Sequence, residues 1–583
     1  MTATISGLYG LFQLDDGPIA AADPVMMGLT VDGPRGAALA AGIDQQAPAA
    51  VHRSDANGQI TLLVGDLDEP EAMADRLALS RATPPAELAR AALLRFGADT
   101  PALLFGEWTL LDWDPAGRLT LMASAARRDR VFFAVSGGRC AVAPDLARLA
   151  RLAWVDDEID PAGFLFGVGR ADLRSRRGGR TMLRQVRQLA PAECVTIAAG
   201  GIRHEMATVL APQPRRHGTF EDAVAEADLL LRRILRQRSA RTAMPAILLS
   251  GGLDSSLLAC LAAEERATGQ PLELITSVAP AGSGLADERG FADVVAASLG
   301  LALNPVVPPL DADAYRPPDH IIAGAGGPFL SNRHCLTEAF QVAARARGAT
   351  LLINGTYGEM SVTGRASGAT VAQRLRAVAR RMIRGRPPPV APSDTGAFHV
   401  RLAPERLAHL PDEIDHAIAT PPPLSPADPS GGTWGYLPGI EKALGQANEF
   451  YAGALRMDFP FRDVRLLRLF AGMPLSFFTR QGVDRAPARH MLDGHLPDSV
   501  RLRRTGMPAS PDHIARLQRQ APQARARIAA FRRADVGEWL DLDWLDQALE
   551  RIATHGPNDV GDANVVQLTA INAEVLTWWR TRR

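Results

Sequence analysis

The densest concentration of chemistry in this sequence is Ala246-Ile-Leu-Leu-Ser250-Gly251-Gly252-Leu253-Asp254-Ser255-Ser256. An apolar strand ends in Ser-Gly-Gly, the chain turns, and a helix opens with an aspartate and two serines. Glycine has no Cβ, so the backbone N–H groups of Gly251 and Gly252 can come close to an oxyanion. Ser255 and Ser256 add hydroxyl donors at a helix start, where the dipole and the unpaired N–H groups favour a phosphate. Asp254 would repel a phosphate directly, so the role that fits it is to hold Mg2+ against a pyrophosphate. No lysine follows the glycines, so this is not a loop of the GxxxxGK[ST] type. A plain strand–helix turn capped by Ser and Asp would account for Ser-Gly-Gly alone. The whole string behind an apolar strand points to phosphate binding.

The elements that hold this turn must come from a chain of 583 residues, long enough for two or three domains. Hydrophobic residues make up 46% and charged residues 22%, as in soluble globular proteins with room for more than one core. Lys+Arg and Asp+Glu both total 64, and this zero net charge argues against a nucleic-acid partner. Lys442 is the single lysine, so any catalytic cation has to be an arginine. The four cysteines, Cys140, Cys194, Cys260 and Cys335, form no CxxC pair, which excludes a zinc site or a disulfide framework as the expectation. The start has no basic and apolar signal segment, and no run of about 18 apolar residues occurs. The expectation is a cytoplasmic protein with no membrane partner.

Residues 1–210 carry β-like runs at 60–64, 108–113, 119–123, 131–135 and 194–197, separated by Gly, Asp or Pro. The runs on either side of Pro115-Ala-Gly117 read as a hairpin. A polar, proline-containing joint at 211–218 is the expected domain boundary, and Thr219 with Asp222 caps the helix that follows. Strand, helix, strand, helix and strand then alternate at 246–249, 255–266, 272–278, 287–299 and 350–353. This alternation predicts a parallel α/β sheet with helices on both faces. The proline-rich stretches 386–392 and 421–432 read as loops or linkers. The basic stretch 374–386 is either a solvated helix face or a dock for an acidic peptide.

The string from Ser250 to Ser256 resembles the pyrophosphatase loop (PP-loop) of the asparagine synthetase and β-lactam synthetase family, enzymes that split ATP between its α and β phosphates. The resemblance implies ATP and Mg2+, with nucleotide contacts from Leu249, Ser250, Gly251, Gly252, Asp254, Ser255, Ser256 and Gly355. Asp287-Glu288 resembles the family's Asp-Glu segment near the nucleotide, the alternative being two acids placed at a helix start. Leu351-Leu-Ile-Asn354-Gly355-Thr356-Tyr357-Gly358-Glu359-Met360 resembles the family's strand followed by SGxGADE. The family's metal-binding Asp falls on Glu359, while its following Glu becomes Met360. Asp254 and Glu359 would then share Mg2+ with ATP oxygens and water. Arg456-Met-Asp-Phe-Pro-Phe-Arg-Asp463 resembles the family's R-x-P-F-L-D segment, its apolar residues read as packing. The stretch from Gly482 to Met507 resembles the segment with the family's catalytic lysine, which falls on Arg504 with the register open by one residue. Arg485 lies in the same segment, and together they are the implied catalytic cations, opposing charge on pyrophosphate and on a tetrahedral intermediate. A solvated basic loop is the alternative.

The front of the chain, through Phe105-Gly106-Glu107, Trp113-Asp114 and 185–194, resembles the amide-hydrolysing half of asparagine synthetases. That half needs an N-terminal cysteine as nucleophile; Thr2 stands here, and no cysteine precedes Cys140. The expected fold class is therefore α/β. It comprises an N-terminal glutaminase-like (Ntn-type) α+β sandwich lacking its nucleophile over 1–210, and a PP-loop ATP-pyrophosphatase-type parallel sheet domain over 219–583. The amine must then come from the substrate. The spacing Arg485…Arg489…Leu496-Pro497…Arg501…Gly506…Asp512 resembles the lasso-peptide cyclase (macrolactam synthetase) branch. It implies adenylation of an Asp or Glu side chain of a core peptide, attack by the peptide's N-terminal amine, and a leader-peptide protease as partner. A β-lactam synthetase reading, through Tyr357 two residues after Gly355, an asparagine synthetase and a non-catalytic partner of a biosynthetic complex are the alternatives.

Overall fold

The computed structural model describes residues 7–14, 37–42, 51–56, 58–126, 130–174, 176–210, 218–364, 395–419, 455–504, 506 and 509–581. Thr2, Lys442, Met507, residues 211–217 of the expected boundary, the basic stretch 374–386 and both proline-rich stretches lie outside them.

Two antiparallel sheets form the front. One orders Ala37–Gly42, Gly7–Gln13, Arg139–Ala143, Phe132–Ser136 and Val186–Gln188. The other orders Gly201–Met206, Glu193–Ala198, Arg118–Ala123, Gly106–Asp114, Gln59–Leu67 and Val51–Ala56. Side chains alternate between the faces of a strand. Phe133, Cys140 and Val142 therefore meet Leu62, Leu111, Trp113 and Val195 between the sheets. Phe132, Ala134 and Ala141 face outward onto the helix Leu146–Leu149, and Leu63, Trp108 and Leu110 onto the helix Pro85–Phe96. The layering is helix, sheet, sheet, helix. The expected hairpin is present, with Asp114 opposite Arg118 and Gly117 in the left-handed region at φ 85°.

Beyond the boundary, the Thr219 hydroxyl accepts from the Asp222 N–H at 3.1 Å. A cap of this kind is worth about 1 kcal/mol and starts the helix Phe220–Ser239, which buries Val224, Ala227, Leu231, Ile234 and Leu235. The third sheet is parallel, in the spatial order Leu303–Val306, Glu273–Ser277, Pro245–Leu248, Leu351–Ile353, Arg456–Asp458. Ala246, Ile247, Leu274, Ile275, Leu352 and Ile353 are fully buried, as both-face coverage by helices demands. The chain lays two strands on one side of Pro245–Leu248 and then returns to lay two on the other. Winding therefore reverses between Pro245–Leu248 and Leu351–Ile353, and a crevice opens at their carboxyl ends, the usual ligand position in such sheets.

A third core joins the helices His513–Ala526, Ile528–Arg533, Leu542–His555 and Val560–Thr581 to Phe164, Leu165 and Val168 of the helix Pro161–Val168. That helix precedes the expected boundary, yet its all-apolar surface packs on elements after it. Charge also crosses the seam between the sandwich and the parallel sheet. Arg238 reaches Glu107 at 3.9 Å across it while pairing with Asp458 and, at 2.9 Å, Asp463 on its own side; Arg465 crosses to Asp68 at 2.6 Å and is braced by Asp463 at 2.8 Å. Arg241 meets Asp68 at 2.7 Å and Arg456 meets Asp66 at 2.6 Å. No helix among the described residues is long and apolar enough to cross a membrane.

Candidate active site

The strand Pro245–Leu248 delivers the chain into the crevice at residues 249–252. Gly251 turns it with φ 71°, and a Cβ there would lie 2.6 Å from Phe291 Cβ and 2.8 Å from the Ala292 nitrogen, so only glycine fits. The helix Leu253–Glu265 starts on Gly252, which has no side chain to cap it. Its first-turn N–H groups are left for a ligand. Around the turn, Ser255 Oγ accepts from the Ser250 N–H at 3.1 Å, and the two serine hydroxyls lie 3.1 Å apart. Leu249 at the strand end is buried. Ser256 departs from the expected role as a phosphate donor. It is fully buried, and its hydroxyl is enclosed without a hydrogen-bond partner among the described residues, because the helix turns that position into the core.

The neighbouring strand Leu351–Ile353 feeds the second half of the site. Asn354 Oδ1 accepts from the Thr356 N–H at 2.9 Å and the Thr356 hydroxyl at 2.7 Å, which closes a tight turn. Gly355 lets this turn approach the helix start, since a Cβ there would lie 2.9 Å from the Ser255 nitrogen. Gly358 does the same for the carboxylate: a Cβ would sit 1.9 Å from Asp254 Oδ1. Thr363 donates its hydroxyl to that oxygen at 2.6 Å. Gly358 and Thr363 were not singled out from the sequence. Gly358 was legible as the second glycine of the turn, whereas Thr363 carried no local signal.

Asp254 is pushed up to about 6, chiefly by burial, with Glu359 raising it and the Thr363 bond and Arg485 opposing the rise. Glu359 itself is exposed, on the short turn Gly358–Met360. The two carboxylates therefore act on each other across the crevice. Among the described residues no group of three His, Cys, Asp or Glu could hold a metal, so a divalent ion here would take these two carboxylates together with oxygen ligands of other kinds. Arg485 is the cation opposite them. It occupies the left-handed region at φ 57°, strained for a non-glycine, and its Nε is enclosed without a hydrogen-bond partner among the described residues.

The register left open around Arg504 separates two neighbours. Arg504 is exposed, close enough to Arg489 for its charge to act there. Arg503 is turned inward: it pairs with Glu288, donates to the Gly251 carbonyl at 3.3 Å and lies over the Phe291 ring at 4.0 Å. The Asp287-Glu288 pair divides in the same way. Asp287 accepts from the Ala279 N–H at 2.8 Å and the Arg289 N–H at 3.0 Å, a local structural role, while Glu288 reaches the site. Tyr357, at φ 79°, is buried, with its ring edge-on to Phe459 at 5.5 Å.

The sequence profile of the asparagine synthase family matches residues 226–364 and 452–580, the segments that supply the turn, Glu359, Arg485 and Arg504. No curated protein sequence matches the chain. Among solved structures, the glutamine phosphoribosylpyrophosphate amidotransferase from B. subtilis, complexed with ADP and GMP, is 13% identical, with 60% of this chain and 90% of that chain covered and a TM-score of 0.23. An allosteric regulatory enzyme of purine biosynthesis is likewise 13% identical, with 71% and 88% covered and a TM-score of 0.22. The match to the asparagine synthase family over these two segments marks this chain as an ATP-dependent amide-forming ligase.

Proposed function

We propose that the chain is an AMP-forming macrolactam (isopeptide) synthetase acting on a core peptide. It would adenylate an Asp or Glu side chain, and the peptide's own N-terminal amine would then displace AMP. The observation that carries the nucleotide half is the convergence of Asp254, Glu359 and Arg485 on the uncapped start of the helix Leu253–Glu265, in the crevice where the winding reverses. In this reading Ser250, Gly251, Gly252 and Ser255 cradle the phosphates with N–H and hydroxyl donors, and Leu249 and Gly355 shape the walls. Asp254 and Glu359 fit Mg2+. Both are hard oxygen donors, and burial plus mutual repulsion leave Asp254 a carboxyl that a cation would relieve. A bound Mg2+ would neutralise charge on the departing pyrophosphate.

A substrate carboxylate oxygen attacks the α-phosphorus, the bond from α-phosphorus to the bridging oxygen breaks, and pyrophosphate leaves. The amine nitrogen then attacks the acyl carbon, AMP leaves with the carbon–oxygen bonding pair, and the amine gives up a proton. Arg485 and the exposed Arg504 oppose the negative charge that develops in both steps. Joining both reacting ends in one peptide replaces a collision and is worth up to ~7–11 kcal/mol.

An amine supplied by the substrate is supported by the front sandwich. Cys140 and Cys194 are buried in it, and burial raises both thiols, Cys194 to about 11, so neither is a ready nucleophile. The burial of Tyr357 disfavours the β-lactam reading, which turns on that residue. A leader-peptide protease would free the attacking amine. Incubation with ATP, Mg2+ and acidic core peptides should release AMP and pyrophosphate and give a product lighter by one water. Amidation of free aspartate by ammonium, with the peptides untouched, would refute the cyclase assignment.

A further inference from the structure

We propose that Arg503 is a positioning residue that latches the C-terminal segment onto the Gly251 turn and fixes the turn for phosphate binding, an inference that rests on the nucleotide reading above. Its guanidinium touches two segments remote in sequence. Nη1 donates to the Gly251 carbonyl at 3.3 Å, Nη2 pairs with Glu288, and the guanidinium carbon sits 4.0 Å from the centre of the Phe291 ring. Phe291 is also the wall against which Gly251 closes. Arginine, ring and turn therefore form one stack, and removing the arginine loosens the other two.

The consequence for phosphate follows from peptide geometry. The Gly251 carbonyl and the Gly252 N–H belong to one planar trans unit and point in opposite directions. Holding the carbonyl toward Arg503 aims the Gly252 N–H to the other side, where it donates to Ser250 Oγ at 3.3 Å, a long bond that a phosphate oxygen can share or replace. A freely rotating peptide would present its carbonyl oxygen to an anion part of the time. The side chain of Arg503 is 8% exposed, too enclosed to reach a ligand in this arrangement, so it acts through Gly251.

Arg503 is itself held. Its carbonyl accepts from Arg489 Nη2 at 3.0 Å, and Arg489, 4% exposed, also donates to the carbonyls of Arg501 and, at 2.8 Å, Asp484. Arg489 thus pins the backbone on both sides of the segment, and Arg503 carries that fixed point to the turn.

The test uses the full chain, with Mg2+ and the non-hydrolysable α,β-methylene analogue of ATP as the calorimetric probe, AMP as a second ligand, and unfolding midpoints measured in parallel. Arg503→Met should weaken the analogue about ten-fold while leaving AMP unchanged. Glu288→Gln should weaken it by a similar factor, and the double variant no further, because both changes open the same latch. Tighter binding by Glu288→Gln would mean that Arg503, once freed, contacts phosphate itself, and would overturn the latch. Additive losses in the double variant would overturn it too. If Arg503→Met does not fold, Arg503→Lys keeps the charge but not the planar stack. The latch then requires weakened analogue binding, and unchanged binding overturns it. Wild-type protein that binds no analogue overturns the nucleotide reading together with the latch; wild-type binding with unaffected variants overturns the latch alone.

Discussion

At the seam between the sandwich and the parallel sheet, Arg238, Arg456 and Arg465 each meet at least two carboxylates. Burial works against the charges of Arg238, Arg465 and Asp463, but their partners win. Asp463 is held below the usual carboxylate range by Arg465 and Arg238, and Arg238 is held well above the usual guanidinium range. Two strands away, at the Gly251 turn, the balance is reversed. Burial dominates at Asp254, Glu359 adds repulsion, and the carboxyl rises to about 6. The same side chain is thus driven in opposite directions within one sheet. Charge that serves the fold is compensated inside the chain, whereas charge left wanting a partner marks where one from outside belongs.

Removing one member of each cluster should give opposite signs of stability change. Arg238→Met takes the buried guanidinium away from Asp458 and leaves Asp463 to Arg465, and should cost ~3–5 kcal/mol in denaturant unfolding. A loss under about 1 kcal/mol would break the contrast. Asp254→Asn should stabilise the nucleotide-free protein by about 1–2 kcal/mol, the relief of burial less the altered Thr363 bond, and yet abolish ATP-dependent AMP release. A destabilised but active variant would invert the assignment.

The pH dependence sharpens the same contrast. The folded Asp254 carboxyl titrates near 6, above its ordinary 3.8, so the fold holds this proton more tightly than the unfolded chain does. The cost of ionising it is fully present above pH 6 and disappears as pH falls toward 4, so the gain from Asp254→Asn should shrink over that window. Asp463 is shifted down, so its contribution is present above its unfolded pKa and is lost in more acid solution. Unfolding of wild type and Asp254→Asn in parallel from pH 4 to 8 measures the first, extension of the wild-type series below pH 4 measures the second, and a gain independent of pH would contradict the burial account. The smallest effect belongs to Ser256→Ala. Loss of an enclosed hydroxyl without a partner should change stability by no more than about 0.5 kcal/mol, toward greater stability, and leave nucleotide affinity unchanged. A large loss of affinity would return Ser256 to the phosphate cradle.

The central strands and their helices were legible because each carries its own periodicity. The run at 246–249 emerges as Pro245–Leu248, and the capped helix begins at Phe220 behind Thr219. The edge strands Leu303–Val306 and Arg456–Asp458 were not, since Asn304, Pro305, Arg456 and Asp458 interrupt any apolar run. Arg504 drew attention by its place in a motif, yet a one-residue step in a loop carries no periodic signal, and it is Arg503 that turns toward Gly251.

Local chemistry alone determined that residues 250–255 form a glycine-hinged, helix-opening turn with an acid beside it, because every group needed is within one helical turn of the next. Only the tertiary structure decided which distant residues answer that turn. Glu359, Thr363, Arg485 and Arg503 lie more than a hundred positions away in the sequence. Their approach depends on how the parallel strands order themselves and on glycines at 251, 355 and 358 that let backbones close to contact distance. Such proximity is a product of packing, and no short stretch of sequence encodes it.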